Sequence, residues 1–150
     1  MQSYLFPSLP SGPLIIHGLI GRIEESKLDL PTHSGRFTPR EVVAHLADWE
    51  PILLQRMKQT VERPGSTIIG IDEGQMAVDQ KYSESNWREQ AIRFMELRSE
   101  TTAWLKQRKP EDFDLAVTHN ERGVQTLYDQ ANALLGHDLY HIEQLFAVLD

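Results

Sequence analysis

Two histidines four positions apart, His137 and His141, lie in the stretch Gly136-His137-Asp138-Leu139-Tyr140-His141. On a helix that spacing places both side chains on one face, one turn apart, where two imidazoles can share a metal ion. Six histidines in 150 residues produce such a pair by composition alone often enough that the spacing is not decisive. A metal centre therefore needs a third ligand from elsewhere in the chain. Cysteine is absent, so any metal must be held by nitrogen and oxygen, and no thiolate nucleophile or disulfide is available.

The elements that must position these residues read as helices. Pro7, Pro10 and Gly12 mark residues 1–12 as an irregular arm, and Pro13 suits the first position of a helix running to about residue 28. Ile16, Leu19, Ile20 and Ile23 form its apolar stripe, while Gly18 and Gly21 would let a neighbouring element approach. His17, on this helix, reads as an ordinary surface or partly buried histidine. Thr38-Pro39-x-Glu41 is a strong helix start, with an N-cap, a proline at the first position and the carboxylate of a capping box. Val42, Leu46, Trp49, Leu53 and Met57 then recur at intervals of three and four, with His45 at the edge of the face; Pro51 should kink this helix without ending it.

Arg63-Pro64-Gly65-Ser66 opens a long connection, and the third helix should be capped by Ser83 or Ser85 and end before Pro110. Its apolar face holds Trp87, Ala91, Phe94, Leu97, Thr101, Trp104 and Leu105. Residues 111–123 read as an acidic, polar connection with a turn at Asn120-Glu121-Arg122-Gly123. The last helix starts near Val124 or Thr126 and carries Leu127, Ala131, Leu134, Asp138, His141, Leu145 and Val148. No segment reads as a convincing strand.

Four amphipathic helices in 150 residues imply an all-α four-helix bundle forming one domain over residues 1–150. A long link between helices two and three is what a crossover along the bundle requires, which gives the order up, down, down, up. Helices two and four are then antiparallel. At about 1.5 Å per residue, His45 lies about 10 Å from the start of helix two and His141 about 12 Å from the end of helix four, so the two share a level. That makes His45 a candidate for the missing third ligand. Asp138 falls near the centre of an apolar face and must find a partner: either the free ring nitrogen of a ligating histidine, which would orient that ligand, or a backbone donor or the bundle mouth. Asp48 lies on the polar flank of helix two and reads as solvated rather than as a fourth ligand.

Composition narrows the function classes. Fifteen basic against twenty-two acidic residues give a net charge of −7, which disfavours nucleic acid and anionic membranes as partners. No apolar run is long enough for a membrane span and the N-terminus lacks the pattern of a signal peptide, so the expected location is cytoplasmic. His137-Asp138-x-x-His141 also invites comparison with the His-Glu-x-x-His motif of zinc peptidases. The acid is one methylene short, however, and no strand is expected beside the metal to hold an extended peptide.

Taken together, Thr38 to Glu50 in helix two and the terminal His-Asp-x-x-His resemble the DinB-like superfamily over nearly the whole chain. His45, His137 and His141 fall on that family's three-histidine metal triad. The resemblance implies an up-down-down-up bundle, a divalent metal near one end and a homodimer. It also implies, for some members, transfer reactions that use a low-molecular-weight thiol such as bacillithiol, mycothiol or glutathione. Three neutral imidazoles leave a coordination position open, as catalytic zinc sites do; zinc or nickel suits such a set, with iron or manganese as alternatives. In a chain without cysteine, a reactive thiolate would come from a cosubstrate. The expectation is a metal-dependent transferase that activates a small-molecule thiol for attack on an electrophile. The alternatives are a metal-dependent hydrolase that uses water, and a non-catalytic bundle stapled by its metal with a stress-related or interaction role.

Overall fold

The structure, a computed structural model, describes residues 4–149. The capping box read at Thr38 forms as expected: the Thr38 hydroxyl accepts from the Glu41 N–H at 3.3 Å, and the Thr38 N–H donates to the Glu41 carboxylate at 2.9 Å. It opens the longest helix, Pro39–Glu62, which runs through Pro51 without a break because the proline lies on the exposed side. In chain order the helices are α1 (Leu5–Ser8), α2 (Ser11–Ile20), α3 (Pro39–Glu62), α4 (Glu73–Asp79), α5 (Trp87–Lys106) and α6 (Leu127–Phe146).

Helices α2, α3, α5 and α6 form the bundle, with α2 and α3 each packed against both α5 and α6. Its order is up, down, down, up. Arg40 near the start of α3 donates to the Ser85 carbonyl just ahead of α5, and Asp48 and Glu50 pair with Arg93 and Arg98 further along, so α3 and α5 are parallel. Gln130 near the start of α6 donates to Thr60 near the end of α3, so those two are antiparallel.

Several boundaries depart from the sequence expectation. Part of the expected N-terminal arm, residues 1–3, lies outside the described residues, but Leu5–Ser8 is a helical turn and α2 begins at Ser11, so Pro13 is its third residue. That helix also ends early, at Ile20; a short 3₁₀ turn at Glu25–Lys27 follows. Close approach occurs at Gly12 rather than at Gly18, around which a Cβ would meet open space, or at Gly21, where it would meet only the carbonyls of His17 and Gly18. The cap of α5 is Asn86, whose side chain accepts from the Arg88 N–H, because Tyr82–Glu84 form a 3₁₀ turn and Ser85 is extended.

A small sheet is the larger departure. Strand β1 (Thr67–Ile68) pairs in parallel with β2 (Ala116–His119), and β2 pairs antiparallel with β3 (Gly123–Thr126). Strands of two to four residues are too short for a period-two pattern to register, although the turn between β2 and β3 falls where expected, with Gly123 at φ 76°.

The interior holds three apolar clusters, the smallest being Ala44, Ala77 and Tyr82 under the crossover, and a charged layer lies between the two larger ones. One cluster gathers Ile16, Ile20, Val42, Leu46, Phe94 and Leu145; the other gathers Leu9, Met57, Leu105, Leu127 and Leu134. Between them Arg98, 1% exposed, makes five hydrogen bonds: two to the Glu50 carboxylate at 2.8 and 2.9 Å, two to Asp138 at 2.6 and 2.9 Å, and one to the Leu9 carbonyl at 3.1 Å. Asp138 therefore takes neither of the partners expected from sequence; its carboxylate belongs to Arg98. A Cβ at Gly12 would collide with that carboxylate, which is why a residue without a side chain occupies the approach of α2. Truncating Arg98 to alanine strands two buried carboxylates and should lower the unfolding free energy by about 3–5 kcal/mol. Denaturant titration at neutral pH measures this, and an unchanged midpoint would show that the layer is not held by Arg98.

Candidate metal centre

Helix α3 contributes His45, and α6 contributes His137 and His141. The Nε2 atom of His137 stands 3.1 Å from Nε2 of His45 and 3.1 Å from Nε2 of His141. All three ligand atoms lie within 4.8 Å of one another. The level match between antiparallel helices therefore holds, and the i, i+4 pair faces inward rather than to solvent. By contrast His17 is exposed, and Asp48 pairs with Arg93 at 2.5 Å on the flank of the bundle.

The protonation of these rings follows from their surroundings. His141 Nδ1 lies 2.7 Å from the Gln144 Oε1, an acceptor, so Nδ1 carries the proton and Nε2 presents a lone pair. Burial, reinforced by the neighbouring His141 and His137, pulls the His45 pKa down to about 2. Burial likewise brings His137 to about 3, helped by His141, Arg98 and Arg122; it brings His141 to about 4, against an upward pull from Gln144. Neutral imidazoles are the form that binds metal.

A divalent ion fits this set. With bonds of about 2.0–2.1 Å to imidazole nitrogen, ligand angles between about 90° and 109° place neighbouring nitrogens about 2.9–3.4 Å apart, and the two 3.1 Å separations fall inside that range. A single Nε2 proton on His137 could not serve both contacts, whereas a cation at their centre satisfies all three lone pairs.

Aromatic rings close one side of the site. Phe37, Trp49 and Tyr82 have ring centroids 5.2, 5.6 and 6.4 Å from that of His45, which is 1% exposed. The Nδ1 of His45 is buried among them, with no hydrogen-bond partner among the described residues. His137 lies on the open side and lines two clefts. The larger, about 280 Å³, is walled by Arg36, Phe37, Tyr140 and Gln144; the smaller, about 70 Å³, by Trp49, Leu53, Arg122 and Ala133. Glu73, the first residue of α4, borders both.

The structure brings together the three histidines singled out from the sequence, and it places beside them residues that sequence reasoning missed. Gln144 carried a usable signal, since it stands three positions after His141 on the same face. Glu73 and Arg122 carried none. They come from the crossover and the β2–β3 turn, whose placement no helical period records.

Comparison with known proteins agrees with this architecture. The DinB superfamily model matches residues 15–145. Among solved structures, YfiT from Bacillus subtilis, described as a probable metal-dependent hydrolase with an unusual four-helix bundle topology, is similar with a TM-score of 0.91 at 21% identity, over 99% of this chain and 87% of that one. No curated protein matches the sequence significantly. Among the described residues, no helix is long and apolar enough to cross a membrane.

The depressed histidine values make the metal-free protein acid-sensitive. An unfolded histidine titrates near 6.5, above the folded values, so below about pH 6.5 the unfolded chain binds more protons and stability falls as pH drops towards about 4. Each buried histidine steepens the fall by up to about 1.4 kcal/mol per pH unit. Denaturant titration of metal-free protein at a series of pH values should show a shallower slope for His45→Leu than for the unaltered chain. Equal slopes would contradict the assigned burial.

Proposed function

The chain belongs to the DinB superfamily, and from that premise we propose that His45, His137 and His141 hold a divalent metal at which the protein hydrolyses a small-molecule substrate. The observation that carries this reading is the meeting of three Nε2 atoms on neutral imidazoles, two of which, His137 and His141, line clefts open to solvent. A closed structural site would instead complete its coordination with protein ligands. The fold-level likeness to YfiT, itself described as a probable metal-dependent hydrolase, points the same way. Zinc or nickel suits three imidazoles best, with iron or manganese as alternatives.

A divalent ion held by His45, His137 and His141 would supply Lewis acidity and would lower the pKa of a water or thiol entering from the clefts. The remaining work falls to the chain. Gln144 holds the His141 tautomer through Nδ1–H, and the rings of Phe37, Trp49 and Tyr82 keep water from the back of His45. Glu73, bordering both clefts beside His137, accepts the proton of the attacking nucleophile on its carboxylate.

Thiol transfer is the second reading, and the pair of clefts favours it: two pockets meeting at His137 can bring a thiol cosubstrate and an electrophile together. The two reactions give different products. Metal-loaded protein incubated with an activated ester should release the free acid without any thiol. A requirement for bacillithiol, mycothiol or glutathione, with thioester as product, would replace hydrolysis by transfer.

Each of His45→Ala, His137→Ala and His141→Ala should lose stoichiometric metal in protein purified without chelator, as measured by elemental analysis. Full metal content in any variant removes that residue from the ligand set. Gln144→Ala should keep the fold and weaken metal affinity about 10–100-fold. Glu73→Gln should keep the metal and lower kcat by about 10²–10⁴; an unchanged kcat would place proton transfer elsewhere.

A further inference from the structure

The small cleft beside His137 does not end at its Trp49 wall. Leu53, Arg122 and Ala133 line both that cleft and an adjoining recess of about 30 Å³, whose inner wall is Arg56. Arg56 and Arg122 therefore both line a recess that shares the Leu53, Arg122 and Ala133 walls of the cleft beside His137. Arg56 comes from α3 and is 9% exposed; its guanidinium lies 5.3 Å from the centre of the Trp49 ring, and its Nη2 donates to the Ile69 carbonyl at 3.2 Å. Arg122 comes from the β2–β3 turn and has no ion pair or hydrogen bond among the described residues.

Among the described residues no carboxylate forms an ion pair with either arginine, although Glu73 borders the same cleft as Arg122. Burial first, and the nearby charge of Arg122 second, pull the Arg56 pKa down, while Glu73 and Glu121 oppose them from a distance. Neither glutamate forms an ion pair with either arginine among the described residues. The charge of Arg122 also reaches His119 and His137. Two like charges held towards a common recess, one of them nine-tenths buried, repel each other unless an anion lies between them.

We propose that Arg56 and Arg122 form the recognition site for a carboxylate on the substrate, set across the Leu53 and Ala133 walls from the three histidines. This rests on the reading of the histidine site as a reaction centre, and it names the substrate class. A planar carboxylate matches the guanidinium fork. The size of the recess selects it over bulkier anions: at about 10–15 Å³ per water, about 30 Å³ holds two or three waters, close to the footprint of a carboxylate. Substrates are then short carboxylic acids whose reacting bond lies a few apolar atoms from the acid group.

The test uses metal-free protein, so that no metal can bind the probe. Calorimetric titration with butyrate, butyramide and inorganic phosphate should show butyrate binding and butyramide at least about tenfold weaker. Arg122→Gln, an exposed position whose change leaves the core intact, should weaken butyrate by at least about tenfold, and Arg122→Lys should restore part of it. Equal butyrate affinity in Arg122→Gln, or equal binding of the amide, overturns the site. Tighter binding of phosphate than of butyrate overturns the carboxylate assignment. Because metal is absent throughout, these outcomes are independent of metal content in the histidine variants, and either proposal can fail without the other.

Discussion

Arg98 is the interaction on which the arrangement of this bundle depends. A guanidinium taken out of water is costly to bury, and it is tolerated only when every donor finds an acceptor. Here the acceptors come from three other parts of the chain: Glu50 on α3, Asp138 on α6 and the carbonyl of Leu9 ahead of α2. Burial alone would lower the Arg98 pKa, but the hydrogen bonds to Asp138 and Glu50 hold it above its ordinary value. Apolar packing tolerates small rotations of a helix about its axis, whereas five hydrogen bonds to one planar group do not. The charged layer thus fixes the rotation and axial position of α3 and α6 relative to α5.

That constraint reaches the histidines directly. His45 is five residues before Glu50 on α3, and His137 is adjacent to Asp138 on α6. Fixing the two carboxylates sets the two helices at the separation where the imidazole nitrogens meet at 3.1 Å. A cluster of three neutral imidazoles, two of them buried and one half-buried, is not stabilising by itself, since burial lowers each pKa and the lone pairs face one another. The stability that holds it comes from the layer beside it and from the apolar clusters on either side.

Chemistry and selectivity are divided between kinds of structure. The rigid helices supply the three ligand atoms and Gln144, where errors of a few tenths of an ångström matter. The crossover and the β2–β3 turn supply Glu73 and Arg122, and the loop before α3 supplies Arg36, all at the cleft walls. The small sheet explains how those connections are held. Pairing β1 with β2 ties the crossover to the turn, reinforced by the Gly70 N–H on the Asn120 side chain at 2.8 Å. Walls built this way can change composition without disturbing the ligands.

The helical elements and their levels were legible in the sequence. The Thr38 capping box, the apolar spacing of α3 and α6 and the long second link were sufficient to place His45 opposite His141, because helical rise and turn are fixed by the backbone and are independent of distant partners. The DinB superfamily followed from the same segments. Tertiary structure decided what no local period encodes. Asp138 read as a partner for a histidine because Arg98, which shares the 91–94–101–105 face of α5, is a charged residue that an apolar pattern passes over. Gly12, the strands of two to four residues and the meeting of Glu73, Arg56 and Arg122 around the clefts were likewise beyond local pattern. Sequence spacing determined which side chains share a helical face; only packing decided which faces meet, because that choice is made by desolvation and hydrogen-bond satisfaction between residues far apart in the chain.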